Sequence, residues 1–373
     1  MAWEWNDFRN EMTIVRQKLY LDHAAMSPLH PKVVNRIHEF HRERQWKGAN
    51  FSYWWKLVDE TRQLVADWIN ACPKQVAFLW NTSAGINLAA QGFPLAKGDE
   101  IIIPDKEFPS NVYPWLNVSK EIGIKVKTVP YRENTLTAEQ IIESITPKTK
   151  LISVSWVNAS NGNKIDIAKL GQYCKERGIY FVVDAIQGFG TSELNVSDVN
   201  VDLLVSGFFK WAMGPDGISF VYLSERALNE IRSPWIGWAG MSDRFQYEQI
   251  NFEPAEDAYR FETGNMNFSA IAGVNESLRL LFPIRDKVYE RIIMLAKRLR
   301  DGLSMIPSIT LLSPRDNYSG ITLFQGVQKE YYDKRNVVVN YRSGIRVSPH
   351  FYNTEEEIDY FLNVTEDFVF NRL

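Results

Sequence analysis

Phe181-Val182-Val183-Asp184-Ala185-Ile186-Gln187 and, further on, Asp202-Leu203-Leu204-Val205-Ser206-Gly207-Phe208-Phe209-Lys210 are the stretches on which the fold turns. Each is a short apolar run that ends near a charged side chain. A run that is apolar on every residue reads as a strand buried on both faces. Working outward, strand-like patterns recur at 75–80, 100–104, 125–129, 150–157, 179–184, 202–206 and 218–223. Helical patterns fall between them at 83–91, 109–122, 137–145 and 166–177. Thr137 with Gln140 spells a capping box, and Asp166 caps a helix that Gly178 stops. Such alternation predicts an α/β fold with a mainly parallel sheet covered on both faces. Ligands of these sheets sit beyond the carboxyl ends of the strands. Asp184 and Lys210 both fall there.

Beyond about residue 245 the texture changes. One long helix is expected over 285–304, alternating strand patterns over 308–327 and 335–347, and a closing helix over 353–372 with Thr354 and Glu357 as a second capping box. The expected organisation is a large α/β domain over 20–245 and a smaller α+β domain over 246–373, with 1–19 packed on the smaller one. A chain of 373 residues with 45% hydrophobic content can bury two such cores. The formal charge of −3 carries no basic run, which argues against nucleic acid and anionic membrane as partners. Two distant cysteines, Cys72 and Cys174, fit a reducing compartment. The start is acidic and aromatic, unlike a signal peptide, and no apolar stretch is long enough to span a bilayer. A cytoplasmic protein is expected. His38 and His41 share a helix face, but no carboxylate or cysteine completes a zinc set, so no metal is expected.

A lysine among aromatic residues at a strand end loses hydration, which favours its neutral amine. A neutral amine forms Schiff bases with aldehydes. With a carboxylate at a neighbouring strand end, Lys210 and Asp184 are the minimum set for pyridoxal phosphate (PLP): the amine carries the cofactor, and the carboxylate keeps its ring nitrogen protonated. Gln187, one turn on, can donate to the ring's phenolate oxygen. Taken singly, each residue has an ordinary reading: a lysine whose head reaches solvent, a carboxylate capping a helix, a loop amide. Asn81-Thr82-Ser83-Ala84-Gly85-Ile86-Asn87 joins strand to helix and suits a phosphate, though Thr and Ser are also common caps. Phe108 can stack on a flat ring or belong to the core. Arg342 and Arg346, in Tyr341-Arg342-Ser343-Gly344-Ile345-Arg346, suit bidentate recognition of a carboxylate, with surface ion pairs as the alternative.

In these residues the chain resembles the class V aminotransferase family of fold-type I PLP enzymes. That family includes cysteine desulfurases, selenocysteine lyases, kynureninases and isopenicillin N epimerase-like proteins. The matches run in order: Tyr20–Ala25, Asn81–Asn87, Gly98–Glu100, Phe108–Trp115, Val183–Gln187, Lys210 with Gly214–Gly217, Arg260–Gly264 and Arg346–Thr354. The resemblance implies a seven-stranded-type sheet, a homodimer and an amino acid or amine substrate. It implies Lys210 as the Schiff-base lysine, Asp184 on the pyridine nitrogen, Gln187 on the phenolate, Phe108 against the ring, Thr82 and Ser83 near phosphate, and Asn265 near the partner subunit's phosphate. Arg346, Arg342, His23 and Asn158 are then the expected substrate contacts, with Arg346 favoured as the carboxylate anchor. Three departures stand out. Gly207 and Phe209 replace the Ser-x-His that often precedes the lysine to hold phosphate, Asn265 follows Gly264 where the family often has threonine, and no cysteine follows residue 174. Transamination is therefore the expected reaction. A kynureninase- or epimerase-type step and a catalytically weak PLP-binding protein are the alternatives, and cysteine desulfurase activity is expected to be absent.

Overall fold

The computed structural model describes residues 5–246, 248–317 and 319–370. Helix α1 (Trp5–Glu11), strand β1 (Leu19–Tyr20) and two long helices, α2 (Pro31–Lys47) and α3 (Phe51–Ile69), lead into the alternating segment. That segment is β2 (Val76–Leu79), α4 (Thr82–Gly92), β3 (Glu100–Pro104), α5 (Tyr113–Ile122), β4 (Lys125–Val129), α6 (Ala138–Glu143), β5 (Thr149–Ser155), α7 (Ile167–Arg177), β6 (Tyr180–Asp184), α8 (Val196–Val199), β7 (Leu203–Gly207) and β8 (Ser219–Leu223). Its seven strands form one sheet in the order β2-β8-β7-β6-β5-β3-β4. All neighbours are parallel except β8, which runs antiparallel to both β7 and β2.

Alternate strand residues feed two different cores. Phe181, Val183 and Leu204 pack on one face, and Val182, Leu203 and Val205 on the other. Burial on both faces is why these strands read as continuous apolar runs. The pattern expected as one helix over 109–122 divides into a 3-10 turn, Pro109–Asn111, and helix α5. Pro109 and Pro114 lack N–H groups and are each accommodated in a first turn, so each starts an element. Both capping boxes form: Thr137 with Gln140, and Thr354 with Glu357.

The rest of the chain gives α9 (Glu225–Glu230), α10 (Phe268–Leu281), α11 (Arg285–Met305), β9 (Thr310–Leu311), β10 (Thr322–Gln325), α12 (Lys329–Asp333), β11 (Val337–Val338), β12 (Asn340–Tyr341), β13 (Ile345–Val347) and α13 (Glu355–Phe370). A four-stranded sheet has the order β12-β13-β10-β9. Its core draws on Leu295, Leu299, Phe324, Ile345, Val347 and Phe361. Helix α10, expected in the smaller unit, instead packs with Trp54, Trp55 and the large sheet's core. Helix α11 serves both cores: Val288 and Ile292 belong to the first, Leu295 and Leu299 to the second. Of the N-terminal segment, β1 pairs in parallel with β11 and Asp22 bridges Ser348. Residues 1–4 lie outside the described ones. Among the described residues no helix is long and apolar enough to cross a membrane.

Candidate active site

The carboxyl ends of β2, β5, β6 and β7, with the loop after β3, converge on a cleft of about 270 Å³. Asn81, Thr82, Ser83, Phe108, Ser110, Ser155, Asp184, Gln187, Lys210 and Arg342 line it, with Ala24, Ala25, Val157, Ala159 and Ile186 as apolar wall.

Asp184 ends β6 opposite Ser155 of β5 and is 3% exposed. Its Oδ1 accepts the Ile186 N–H at 3.0 Å. Burial pushes its carboxyl up to about 6, against the pull of that N–H and of Lys210. Lys210 follows β7 through Phe208 and Phe209, in a turn closed by Met213 N–H to the Lys210 carbonyl at 3.0 Å. Met213 holds a left-handed φ of 52° there. The Lys210 amine sits 5.6 Å from the Phe209 ring centroid. Burial lowers it to about 8, with Arg346 and Arg342 adding to the effect and Asp184 opposing it.

The donor set fits PLP. Thr82 opens the eleven-residue helix α4, and its Oγ1 is buried without a partner. Beside it Ser83 Oγ donates to Ser110 Oγ at 2.7 Å. Hydroxyls at a helix N-terminus form an anion site, which answers the missing Ser-x-His. Ser206 is no substitute, because its Oγ turns to the Gly207 carbonyl at 3.0 Å. Phe108 is 42% exposed on the cleft wall, where a ring can stack. Gln187 lines the cleft with its Nε2 donating to the Ala24 carbonyl at 2.9 Å.

Several expected contacts stand elsewhere. His23 is fully buried between the Ser348 carbonyl (2.8 Å) and the Tyr352 hydroxyl (2.6 Å), so its ring nitrogens are already engaged. Asn158 ties its own loop together through the Lys106 carbonyl and the N–H groups of Ser160 and Asn161. Its neighbours Val157 and Ala159 reach the cleft and Asn158 does not. Asn265, expected near the partner subunit's phosphate, is exposed and lies outside this chain's own cleft. Arg346 is fully buried, bonded to Asp22 at 3.1 Å and to the Ala159 carbonyl at 2.7 Å, while its Nε has no partner. Arg342, at the tip of the β12–β13 hairpin, is the arginine on the cleft wall.

Ser110 on the cleft wall and Glu107 behind Ser155 give no signal in the sequence. Glu107 Oε1 accepts the Ser155 N–H at 2.6 Å, and its Oε2 accepts the Ser155 hydroxyl. Burial, helped by the charge of Asp184, raises its carboxyl to about 7 against the pull of its hydrogen bonds from Ser155. Both lie in Lys106-Glu107-Phe108-Pro109-Ser110, where the inward turn of a side chain leaves no periodic pattern.

The family model for aminotransferase class V matches residues 19–361. The chain belongs to the class V aminotransferase family. It is therefore a member of a PLP-dependent family with the fold-type I architecture. A probable cysteine desulfurase of Pyrococcus abyssi is 28% identical over 97% of both chains. One of Borreliella burgdorferi is 29% identical over 92% of this chain and 90% of its own. The solved apo structure of a cysteine desulfurase from Thermococcus onnurineus NA1 superposes with a TM-score of 0.89 at 26% identity, covering 98% of each chain. These relatives overturn the expectation that set the chain apart from cysteine desulfurases. That expectation rested on a missing loop cysteine. A missing protein thiol removes one acceptor for sulfur and does not by itself separate a chain from those relatives.

Proposed function

We propose that this class V enzyme uses PLP in the cleft to break the carbon–sulfur bond of a cysteine-type amino acid. The observation that carries the reading is the Lys210 amine set against Asp184 beside Arg342, in a chain whose full-length relatives are named for desulfuration. PLP, when bound, supplies the electron sink for the pair left at Cα. Asp184 holds the proton on the ring nitrogen. Lys210 takes the proton from Cα and returns one to the product. Arg342, with Arg346 behind it, receives the substrate carboxylate. The apolar wall from Ala24, Ala25, Val157 and Ile186 keeps water from the reacting carbon.

Cys174 is buried on α7, where burial pushes its thiol up to about 12, and Cys72 is exposed; neither lines the cleft. The sulfur therefore passes to a thiol from outside the chain. The external thiolate attacks the substrate sulfur, the carbon–sulfur pair returns to carbon, and carbon takes up a proton. The sum is cysteine plus RSH giving alanine plus RSSH.

The working unit is proposed to be a homodimer. Asn265 lies outside its own chain's cleft, and Trp238, Phe245, Ile250 and Phe252 expose apolar surface nearby in sequence, a pattern that suits a subunit contact.

The test is to incubate PLP-loaded protein with L-cysteine and dithiothreitol and to measure alanine and sulfide. Equal amounts of both, absent in Lys210→Ala, support the proposal. Formation of a keto acid from an amino donor without alanine from cysteine returns the reading to transamination, and deacylated or epimerised products return it to the kynureninase- or epimerase-type step.

A further inference from the structure

Gln187 carries an amide whose two ends differ only in whether they donate or accept. The structure fixes which end is which. Trp211 Nε1 lies 2.8 Å from Gln187 Oε1. An indole N–H can only donate, so that end of the amide must be the oxygen. The Nε2 end follows: one hydrogen goes to the Ala24 carbonyl at 2.9 Å, and the second belongs to an amide that lines the cleft.

Trp211 is itself held on every side. It is 1% exposed. A Cβ at Gly320 would stand 2.5 Å from the Trp211 ring, and one at Gly190 would stand 2.8 Å from the Trp211 backbone, so both positions are emptied for it. Behind it stands His350, after β13. Its Nδ1 accepts the Phe351 N–H at 3.0 Å, so Nε2 carries the proton and donates to the Trp211 carbonyl at 3.0 Å. The line His350, Trp211, Gln187 thus runs from the four-stranded sheet's end of the molecule to the cleft.

We propose that Trp211 is a positioning residue for the cofactor: its indole N–H locks the Gln187 amide so that Nε2 presents a donor to the ring oxygen of PLP. The proposal rests on PLP occupying the cleft. It adds a specific demand, that a side chain touching neither cofactor nor substrate sets the cofactor's acid–base behaviour. A fixed donor stabilises negative charge on the ring oxygen and makes the nitrogen joined to Lys210 give up its proton more readily. Freeing the amide raises the pH at which the bound cofactor changes colour.

The experiment is an absorbance titration of the PLP-loaded protein. Trp211→Phe deletes the N–H and trims the ring. Site-specific replacement of Trp211 by benzothienylalanine deletes the N–H and keeps the two-ring shape, which answers any folding defect of the phenylalanine variant. Both should move the midpoint upward by about half a unit or more. Gln187→Met should move it the same way, and adding either Trp211 change to Gln187→Met should move it no further. A midpoint unchanged by the benzothienylalanine protein overturns the proposal, as does a shift of equal size in the Gln187→Met background. A purified chain that takes up no PLP at any pH overturns the reading beneath it instead.

Discussion

At the scale of single residues, the cleft is governed by two groups that burial pushes toward neutrality from opposite sides. Lys210 titrates at about 8, so the rate at which the apo-protein captures PLP should climb through pH 8 and then level off. Stopped-flow absorbance checks this, and borohydride reduction with peptide mapping should place the label on Lys210 and on no other lysine. Asp184 has its folded value raised from 3.8 to about 6. A raised acid binds protons better folded than unfolded, so the apo-protein loses stability as pH climbs from about 4 to 6. The protonated ring nitrogen of PLP reverses that loss. The rise in melting temperature on adding PLP should therefore be larger at pH 7.5 than at pH 5; an equal rise at both would sink this electrostatic account. The arginines separate by where they stand. Arg346→Ala strands the buried Asp22 carboxylate and should cost about 3–5 kcal/mol of stability. Arg342→Ala touches no ion pair among the described residues and should leave the melting temperature alone while weakening substrate binding about tenfold. Normal KM in Arg342→Ala together with failed binding in a folded Arg346→Ala would give the carboxylate to Arg346 alone. The places of Lys210, Asp184 and Gln187 were legible in sequence because each ends or closely follows a strand buried on both faces, and such a strand delivers the polar side chains at its end to the ligand edge of the sheet. The choice between Arg342 and Arg346 was not, because it depends on which one the turn between β12 and β13 leaves over the cleft.

At the scale of elements, helix α4 decides how well phosphate is held. Its N-terminus bears Thr82 and Ser83, and its fourth residue, Gly85, lies on β7. A Cβ at Gly85 would stand 2.5 Å from Val205 Cγ2. Gly85→Ala should push the helix off the sheet, cost about 1–3 kcal/mol, and speed PLP loss in dialysis, because the hydroxyls move with the helix. Tighter or unchanged PLP retention would show that α4 does not set the phosphate site. Strand and helix order over 75–223 was readable because β2, β5, β6, β7 and β8 are buried along nearly their whole length and helices such as α5 and α7 bury one face, while the edge strand β4 is largely exposed. The packing of α10 was hidden for the opposite reason: its apolar face looks the same in sequence whether it meets α2 and α3 or the smaller sheet. Glu107 was hidden too, since only the fold brings it against Ser155 and Asp184.

At the scale of the whole molecule, the exposed loop bearing Phe245, Ile250 and Phe252 should close onto a second copy. Sedimentation is expected to give a two-chain species, and Ile250→Asp with Phe252→Asp should yield single chains that hold PLP less well. A single-chain species in the unaltered protein would end the dimer proposal. The chain's two ends are also stitched together. Arg9 donates to the Tyr352 carbonyl, 343 residues away, and grips Glu357 as well. Strand β1 cannot pair until β11 exists. During synthesis the segment holding Phe8, Leu19 and Leu21 must therefore wait, with these side chains uncovered, until β11 and the residues around Tyr352 emerge. Contacts so distant along the chain form slowly. The two sides of the Arg9–Tyr352 contact are made 343 residues apart, and through that interval the nascent chain carries apolar surface that a chaperone would cover.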